Sequence, residues 1–309
     1  MRRPVVPAAE ALLGVKHPIL EHGYVVLVDY MRDDDAIVQA ARVSYGQGTK
    51  TVRDDRGLIR YLMRHRHTTP FEMVEFKFLI RLPIYVARQF VRHRTASINE
   101  YSSRYSVMPE EYDVPALESI REQSLRNRQG RGDALPEEVQ KAFRAEVERI
   151  GNESYASYTG FLEKGVAREL ARIVLPVGYY TEWYWKIDLH NLFHFLSLRL
   201  DAHAQEEIRL YAQAMAEIVR QVTPVAYQAF EDFVLESQSF SQRERIALRE
   251  MLDGRSAEAA CESAGLPLKR ADGTPMKSGE GVEFLEKVHR LRVSGAPGAG
   301  KPASTSKTA

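Results

Sequence analysis

Residues 74 to 82 read VEFKFLIRL, and their alternation decides the architecture. Successive side chains of an extended chain point to opposite faces, so Val74, Phe76, Phe78, Ile80 and Leu82 share one side while Glu75, Lys77 and Arg81 take the other. This is a half-buried strand, one face wet and one face covered. Pro83 follows, and it can occupy the first turn of a helix over IYVARQFVRHR (84 to 94), where a missing N–H costs nothing. Upstream, YVVLVDY (24 to 30) reads as a second strand. The acidic triplet Asp33, Asp34 and Asp35 then offers an N-cap for a helix running towards Val43. Another short helix follows Asp54 and Asp55, with Ile59, Leu62 and Met63 as its apolar face, and Gly46 and Gly48 lie in the loop between.

Downstream, residues 106 to 135 are rich in charge, Pro and Gly, and RNRQGRGD (126 to 133) reads as a mobile, exposed connection. A long helix is expected from Pro136, with Glu137 and Glu138 favouring its positive end and Val139, Phe143, Val147 and Ile150 as a stripe for packing. Residues 166 to 175 read as a helix stopped by Pro176. VGYYTEWYW (177 to 185) reads as a strand, and Asp188 as the cap of a helix through Leu200, its core face Leu189, Leu192, Phe193, Leu196 and Leu200. One more amphipathic helix carries Ile208, Tyr211, Met215, Ile218 and Val222, and Thr223-Pro224 starts the next. The pattern predicts an α+β fold: one mixed domain over 1 to 237, with a mostly antiparallel central sheet flanked by helices. Residues 238 to 293 form a polar, partly helical extension with helices over 241 to 253 and 282 to 292. The tail 294 to 309 lacks the apolar content to offset ordering entropy and is expected to be disordered.

Lys and Arg total 43 against 42 Asp and Glu, so a net charge of +1 gives no global field for a polyanion, and anion binding must be local. MRRPVVPAAEALLG has no secretory apolar stretch, and no segment has roughly 18 consecutive uncharged apolar residues. A cytoplasmic protein without membrane attachment is expected. Cys261 is the single cysteine, which excludes an intrachain disulfide and a thiolate metal cluster and leaves one candidate sulfur nucleophile.

The chemistry concentrates in RHRTASINEYSSRY (92 to 105). Arg92, His93 and Arg94 at a helix end would by themselves serve as C-terminal cations. Ser97, Asn99, Glu100, Ser102, Ser103, Arg104 and Tyr105 then crowd more donors and acceptors into one segment than a surface turn requires. Arg-His-Arg, seven residues, then Ser resembles the signature of flavin-dependent thymidylate synthases. The similarity continues through HTTPFE (67 to 72), ARQ (87 to 89), AREL-ARIVLP (167 to 176) and LRLDAHAQEEI (198 to 208), covering roughly residues 20 to 236. Met73 stands where the family would carry His.

The resemblance implies FAD as cofactor, reductive methylation of dUMP to dTMP, methylenetetrahydrofolate as one-carbon donor, NADPH as reductant, and a homotetramer with shared sites. Carried over residue by residue, it gives Gln89, Arg92, Glu100, Ser102, Ser103, Arg104, Arg172 and Arg199 to the nucleotide. Arg199 is the catalytic one, stabilising the ionised N3–C2 edge of the base. It gives Ser44, His67, Thr69, Arg92, His93, Arg94, Asn99, Glu100, His194 and His203 to FAD. A nucleoside monophosphate is a dianion, and charge-assisted hydrogen bonds of roughly 1.5–3 kcal/mol each make Arg104 and Arg172 the phosphate candidates. Arg168, four residues before Arg172, is read as structural. FAD would bind through side chains, because no G-x-G-x-x-G fingerprint occurs.

Two other readings stay open on the residues alone. Asp188, His190, His194, Asp201 and His203 would suit a metal-dependent phosphohydrolase, although Asn191 after the first His breaks the zinc-protease pattern and no metal is expected. The basic runs RHRH (64 to 67), RHR and RNRQGRG would suit an RNA-binding module, although near-neutral charge and the lack of an aromatic RNA-binding signature argue against nucleic acid. On an ideal helix Arg199 lies about 180° from His190 and about 140° from His194, so both faces cannot line one small pocket: if both are functional, the helix stands between sites or subunits share each site.

Overall fold

The computed structural model describes residues 4–43, 55–124 and 130–293, and the chain forms two compact units, one ending at Glu236 and one beginning at Ser237. In the first unit the strands are β1 (Lys16–Ile19), β2 (Gly23–Met31), β3 (Glu75–Pro83), β4 (Ser97–Glu100), β5 (Arg121–Gln123), β6 (Arg131–Ala134) and β7 (Tyr180–Asp188). Its helices are α1 (Pro7–Leu12), α2 (Asp34–Val43), α3 (Asp55–Arg64), α4 (Ile84–Phe90), α5 (Glu137–Glu163), α6 (Arg168–Ala171), α7 (Leu189–Arg199), α8 (Glu206–Val222) and α9 (Pro224–Phe230). The main sheet runs β1-β2-β3-β7-β4, every neighbouring pair antiparallel, and β5 pairs with β6 as a separate ribbon. The α+β expectation with an antiparallel sheet is met.

Strand β3 sits at the centre because both its neighbours need its apolar face. Phe76, Phe78, Ile80 and Leu82 are fully buried, and Phe78 is paired with Leu27 of β2 and Trp185 of β7. Phe90, at the end of α4, seats edge-on to Trp183 and Trp185 at centroid distances of 5.8 and 5.4 Å, locking that helix to the sheet. Asp188 caps α7 by accepting from Asn191 N at 2.9 Å. Asp34 reaches across from α2 to accept from Val225 N and Ala226 N, both at 2.9 Å, and burial lifts its carboxyl to about 6.

Several elements differ from the reading above. Pro83 ends β3 and is the N-cap of α4, and α4 stops at Phe90, so Arg92, His93 and Arg94 lie beyond the helix. Residues 97–100 are a sheet-edge strand, because Ser97, Ile98, Asn99 and Glu100 find register opposite Lys186, Trp185, Tyr184 and Trp183. The 106 to 135 stretch is an exposed connection only in part: Met108, Asp113 and Ile120 are buried, and β5 and β6 form within it. The span 166 to 175 is one α-turn followed by a 3-10 turn at Arg172–Val174, so Arg168 and Arg172 do not share a continuous helix. Strands β1, β4, β5 and β6 and helix α1 were not legible. Ser44, the Gly46 and Gly48 loop, residues 125–129 of the connection and the 294 to 309 tail lie outside the described residues.

The amphipathic stripe on α5 does not pack. Val139, Phe143 and Ile150 are 47%, 52% and 41% exposed, and they line a cavity of about 650 Å³. The second unit has its own small core. Helices α10 (Gln242–Leu252), α11 (Ala257–Ser263) and α12 (Glu280–Val293) bury Ala247, Cys261, Leu266 and Phe284, and Ser241 with Glu244 forms a reciprocal capping box on α10.

Candidate active site

The edge strand β4 and the loop after it build a cavity of about 400 Å³ whose polar lining is Arg88, Glu100, Ser102, Ser103, Arg172 and Thr181. Glu100 is held by Thr181 of β7, whose Oγ1 donates to Oε1 at 2.7 Å. The loop is closed by its own backbone: Tyr101 N donates to Glu182 O at 2.8 Å, and the N–H groups of Tyr105 and Ser106 donate to Ser102 O at 3.0 and 3.2 Å. Arg172 Nη1 donates to Ser103 Oγ at 2.9 Å and has no carboxylate partner among the described residues. Arg104 lies on the same loop, its Nη2 3.5 Å from Glu169 Oε2, both exposed. Arg168 Nη1 donates to Tyr105 O at 3.3 Å and so braces the loop from α6.

A second group forms where the chain leaves α4 and meets the end of α7. Arg199 Nε donates to His93 Nε2 at 3.0 Å, so that imidazole is neutral and carries its proton on Nδ1. Burial first, then the Arg199 charge and then His194, push His93 down from 6.5 to about 4. Burial also lowers the Arg199 guanidinium from its usual range. His194 stands 6.1 Å from the His93 ring, and Phe195 closes over the same ring at 4.8 Å. Although Arg199 and His194 lie on different faces of an ideal helix, both approach the His93 ring. One imidazole reaches both residues, Arg199 through a hydrogen bond and His194 through a ring contact.

The other candidates are spread out. Arg92, Arg94 and Asn99 are exposed, and neither arginine has an ion-pair or hydrogen-bond partner for its guanidinium among the described residues. His67 is exposed and stacks on Tyr61 at 5.9 Å, just before the 3-10 turn that opens at Thr69. His203 is exposed with Nδ1 2.8 Å from Asp201 Oδ1. Gln89 is not among the residues lining the β4 cavity, and it donates through Nε2 to Gln205 Oε1. Asp188 is occupied as a cap, Asp201 holds its own loop, and among the described residues no three His, Cys, Asp or Glu side chains converge as metal ligands. Thr181, Arg88 and Gln205 were missed. Arg88 could have been found from its four-residue spacing to Arg92, whereas nothing local links Thr181 to Glu100.

The family model described as thymidylate synthase complementing protein matches residues 26–225. A curated flavin-dependent thymidylate synthase of Thermus thermophilus is 57% identical over 271 residues, 88% of this chain and 95% of the relative. This chain belongs to the flavin-dependent thymidylate synthase family. A second member, from Ehrlichia ruminantium, is 53% identical over 265 residues, 86% of this chain and 89% of its own. Among solved structures, a UMP/dUMP methylase PolB of Streptomyces cacaoi bound with 5-Br UMP superposes with a TM-score of 0.64 at 35% identity, covering 72% of this chain and 99% of that one. Both polar groups lie within the span matched by the synthase family model, and Cys261 lies outside it.

Proposed function

We propose that this chain is a flavin-dependent thymidylate synthase that methylates C5 of dUMP to give dTMP with FAD bound. The observation that carries this is the β4 cavity, where Arg172 and the Ser102–Ser103 hydroxyls stand ready for a dianion beside a fixed Glu100 carboxylate. Gln89, Arg92 and Arg104 complete the nucleotide set by resemblance. Arg199 supplies the chemistry on the base. Its guanidinium is half-buried against a neutral imidazole, so its remaining N–H groups can face an ionised N3–C2 edge without competition from a carboxylate. Stabilising that anion pushes electron density onto C5, the role a thiolate would otherwise fill. Cys261 is fully buried in the core of the second unit, and burial raises its thiol pKa, which disfavours the nucleophilic thiolate.

The residues present fit FAD. Arg92 and Arg94 expose guanidinium groups that no described residue neutralises, which a pyrophosphate requires. His67, Thr69, His93, Asn99, Glu100, His194 and His203 would hold the remainder. When bound, FAD supplies hydride. Methylenetetrahydrofolate as one-carbon donor and NADPH as reductant complete the reaction. A homotetramer with shared sites is what the family resemblance implies, and neither Arg199 nor His93 is among the residues that line the β4 cavity. No helix among the described residues is long and apolar enough to cross a membrane, and a single cysteine suits the reducing cytoplasm.

The purified protein should be yellow, bleach with NADPH, and convert dUMP to dTMP when methylenetetrahydrofolate is present. A colourless protein that takes up no FAD overturns the reading.

A further inference from the structure

We infer that Glu207 is a positioning residue that acts through Gln205 to decide which end of the Gln89 amide faces the nucleotide. This rests on the proposed function above, in which Gln89 contacts dUMP. The chain of contacts begins at the β5–β6 ribbon, where Arg131 Nη1 donates to Glu206 Oε2 at 2.8 Å and Nη2 donates to Glu207 Oε1. Glu207 is only 5% exposed and lies in the first turn of α8, where it is paired with the Arg131 guanidinium. Gln205 Nε2 donates to Glu207 Oε2 at 2.7 Å, and Gln205 Oε1 accepts from Gln89 Nε2. Gln205 is itself the N-cap residue of α8, so its backbone is fixed by the helix it begins.

The polarity of this relay is forced from one end. An ionised carboxylate can only accept and a guanidinium can only donate. Glu207 therefore takes the amino end of Gln205, which leaves Gln205 with its carbonyl for Gln89. Gln89 must answer with its own amino end, and its Oε1, which no described residue hydrogen-bonds, remains as an acceptor. The two ends of a glutamine amide have nearly the same shape, so without the carboxylate either could face outward. The relay makes Gln89 an acceptor, and an acceptor reads a donor: N3–H of a neutral pyrimidine or the 3′-hydroxyl of the deoxyribose. The C2 and C4 carbonyls of uracil are excluded. Gln89 lies in the last turn of α4, and four residues later the chain carries His93, the ring that receives Arg199.

The test is a double-mutant cycle on FAD-loaded full-length protein. Glu207→Gln and, as a near-isosteric apolar alternative one step along the relay, Gln205→Met are each made alone and in a Gln89→Ala background. The expected result is a KM for dUMP raised about tenfold in each single variant, the order for one misdirected hydrogen bond, with flavin content unchanged and little change in kcat. Neither variant should add to the loss already caused by Gln89→Ala. Inhibition by N3-methyl-dUMP and by the 3′-deoxy nucleotide assigns the donor, since the analogue lacking it should bind weakly to the unmodified enzyme and no more weakly to Glu207→Gln. An unchanged KM, an equal further loss in the Gln89→Ala background, or full affinity for both analogues overturns the inference while the enzyme remains a thymidylate synthase. Unmodified protein that binds no FAD and turns over no dUMP overturns the functional reading as well.

Discussion

Arg199 ends α7 and Arg172 is the C-cap of α6, and neither has a carboxylate partner among the described residues. Their surroundings are opposite. Arg199 is half-buried, its Nε bound to an imidazole held neutral by burial, and Phe195 lies against that ring. Arg172 is exposed, bound to a serine hydroxyl on a backbone-braced loop. A desolvated cation without a counter-charge is costly and strengthens any anion that forms beside it. A solvated cation near hydroxyls holds an anion that is already there. The first arrangement suits charge that develops during reaction, the second a phosphate present throughout.

Removing each cation should therefore affect different constants. Arg199→Ala should lower turnover by about a hundredfold or more while FAD stays bound, since it removes a donor that acts on the developing anion. Oxidation of pre-reduced flavin with dUMP and methylenetetrahydrofolate measures this, and Arg199→Lys, which keeps charge but not the planar fork, should recover part of it. Near-normal turnover would make Arg199 a mere helix-end cation and dissolve the contrast. Arg172→Ala should raise KM for dUMP by about tenfold to a hundredfold, the loss of one charge-assisted hydrogen bond, with a smaller change in kcat. A fall in kcat at constant KM would reverse the two roles.

The neutral imidazole sharpens the contrast through pH. His93 drops from 6.5 to about 4 on folding, so between those values the unfolded chain binds more protons and stability rises with pH. Its contribution is complete above about 6.5 and is lost as pH falls towards 4. A thermal-midpoint titration of the unmodified protein against His93→Gln should show the difference confined to that window, and parallel curves would mean that the ring titrates normally. The smallest effect is expected at Cys261, buried in the second unit: Cys261→Ala should leave dTMP formation unchanged and cost about 1 kcal/mol of stability. Loss of turnover in a folded variant would restore the thiol route.

Two amphipathic helices mark how far the sequence could be read. The α8 stripe Ile208, Tyr211, Met215, Ile218 and Val222 is buried as its spacing required, whereas the equally regular stripe Val139, Phe143 and Ile150 of α5 is exposed. Helical period identifies an apolar face, and what covers that face is a property of other segments. The site divides similarly. Arg92, His93, Glu100, Ser102 and Arg172 were legible from a local motif. Thr181 and Gln205 became visible only when β4 paired with β7 and α8 began beside α4.

The sequence by itself determined the buried face of β3, the cap of α7, the family signature, and the lone cysteine outside it, because each depends on residues a few positions apart. Tertiary structure alone decided that residues 97–100 complete a sheet edge, that one imidazole brings Arg199 and His194 together, and that Glu207 reaches Gln89 through Gln205. Those outcomes rest on hydrogen bonds and ring contacts between segments far apart in the chain, such as Arg199 with His93 and Gln89 with Gln205, whose partners no local periodicity encodes.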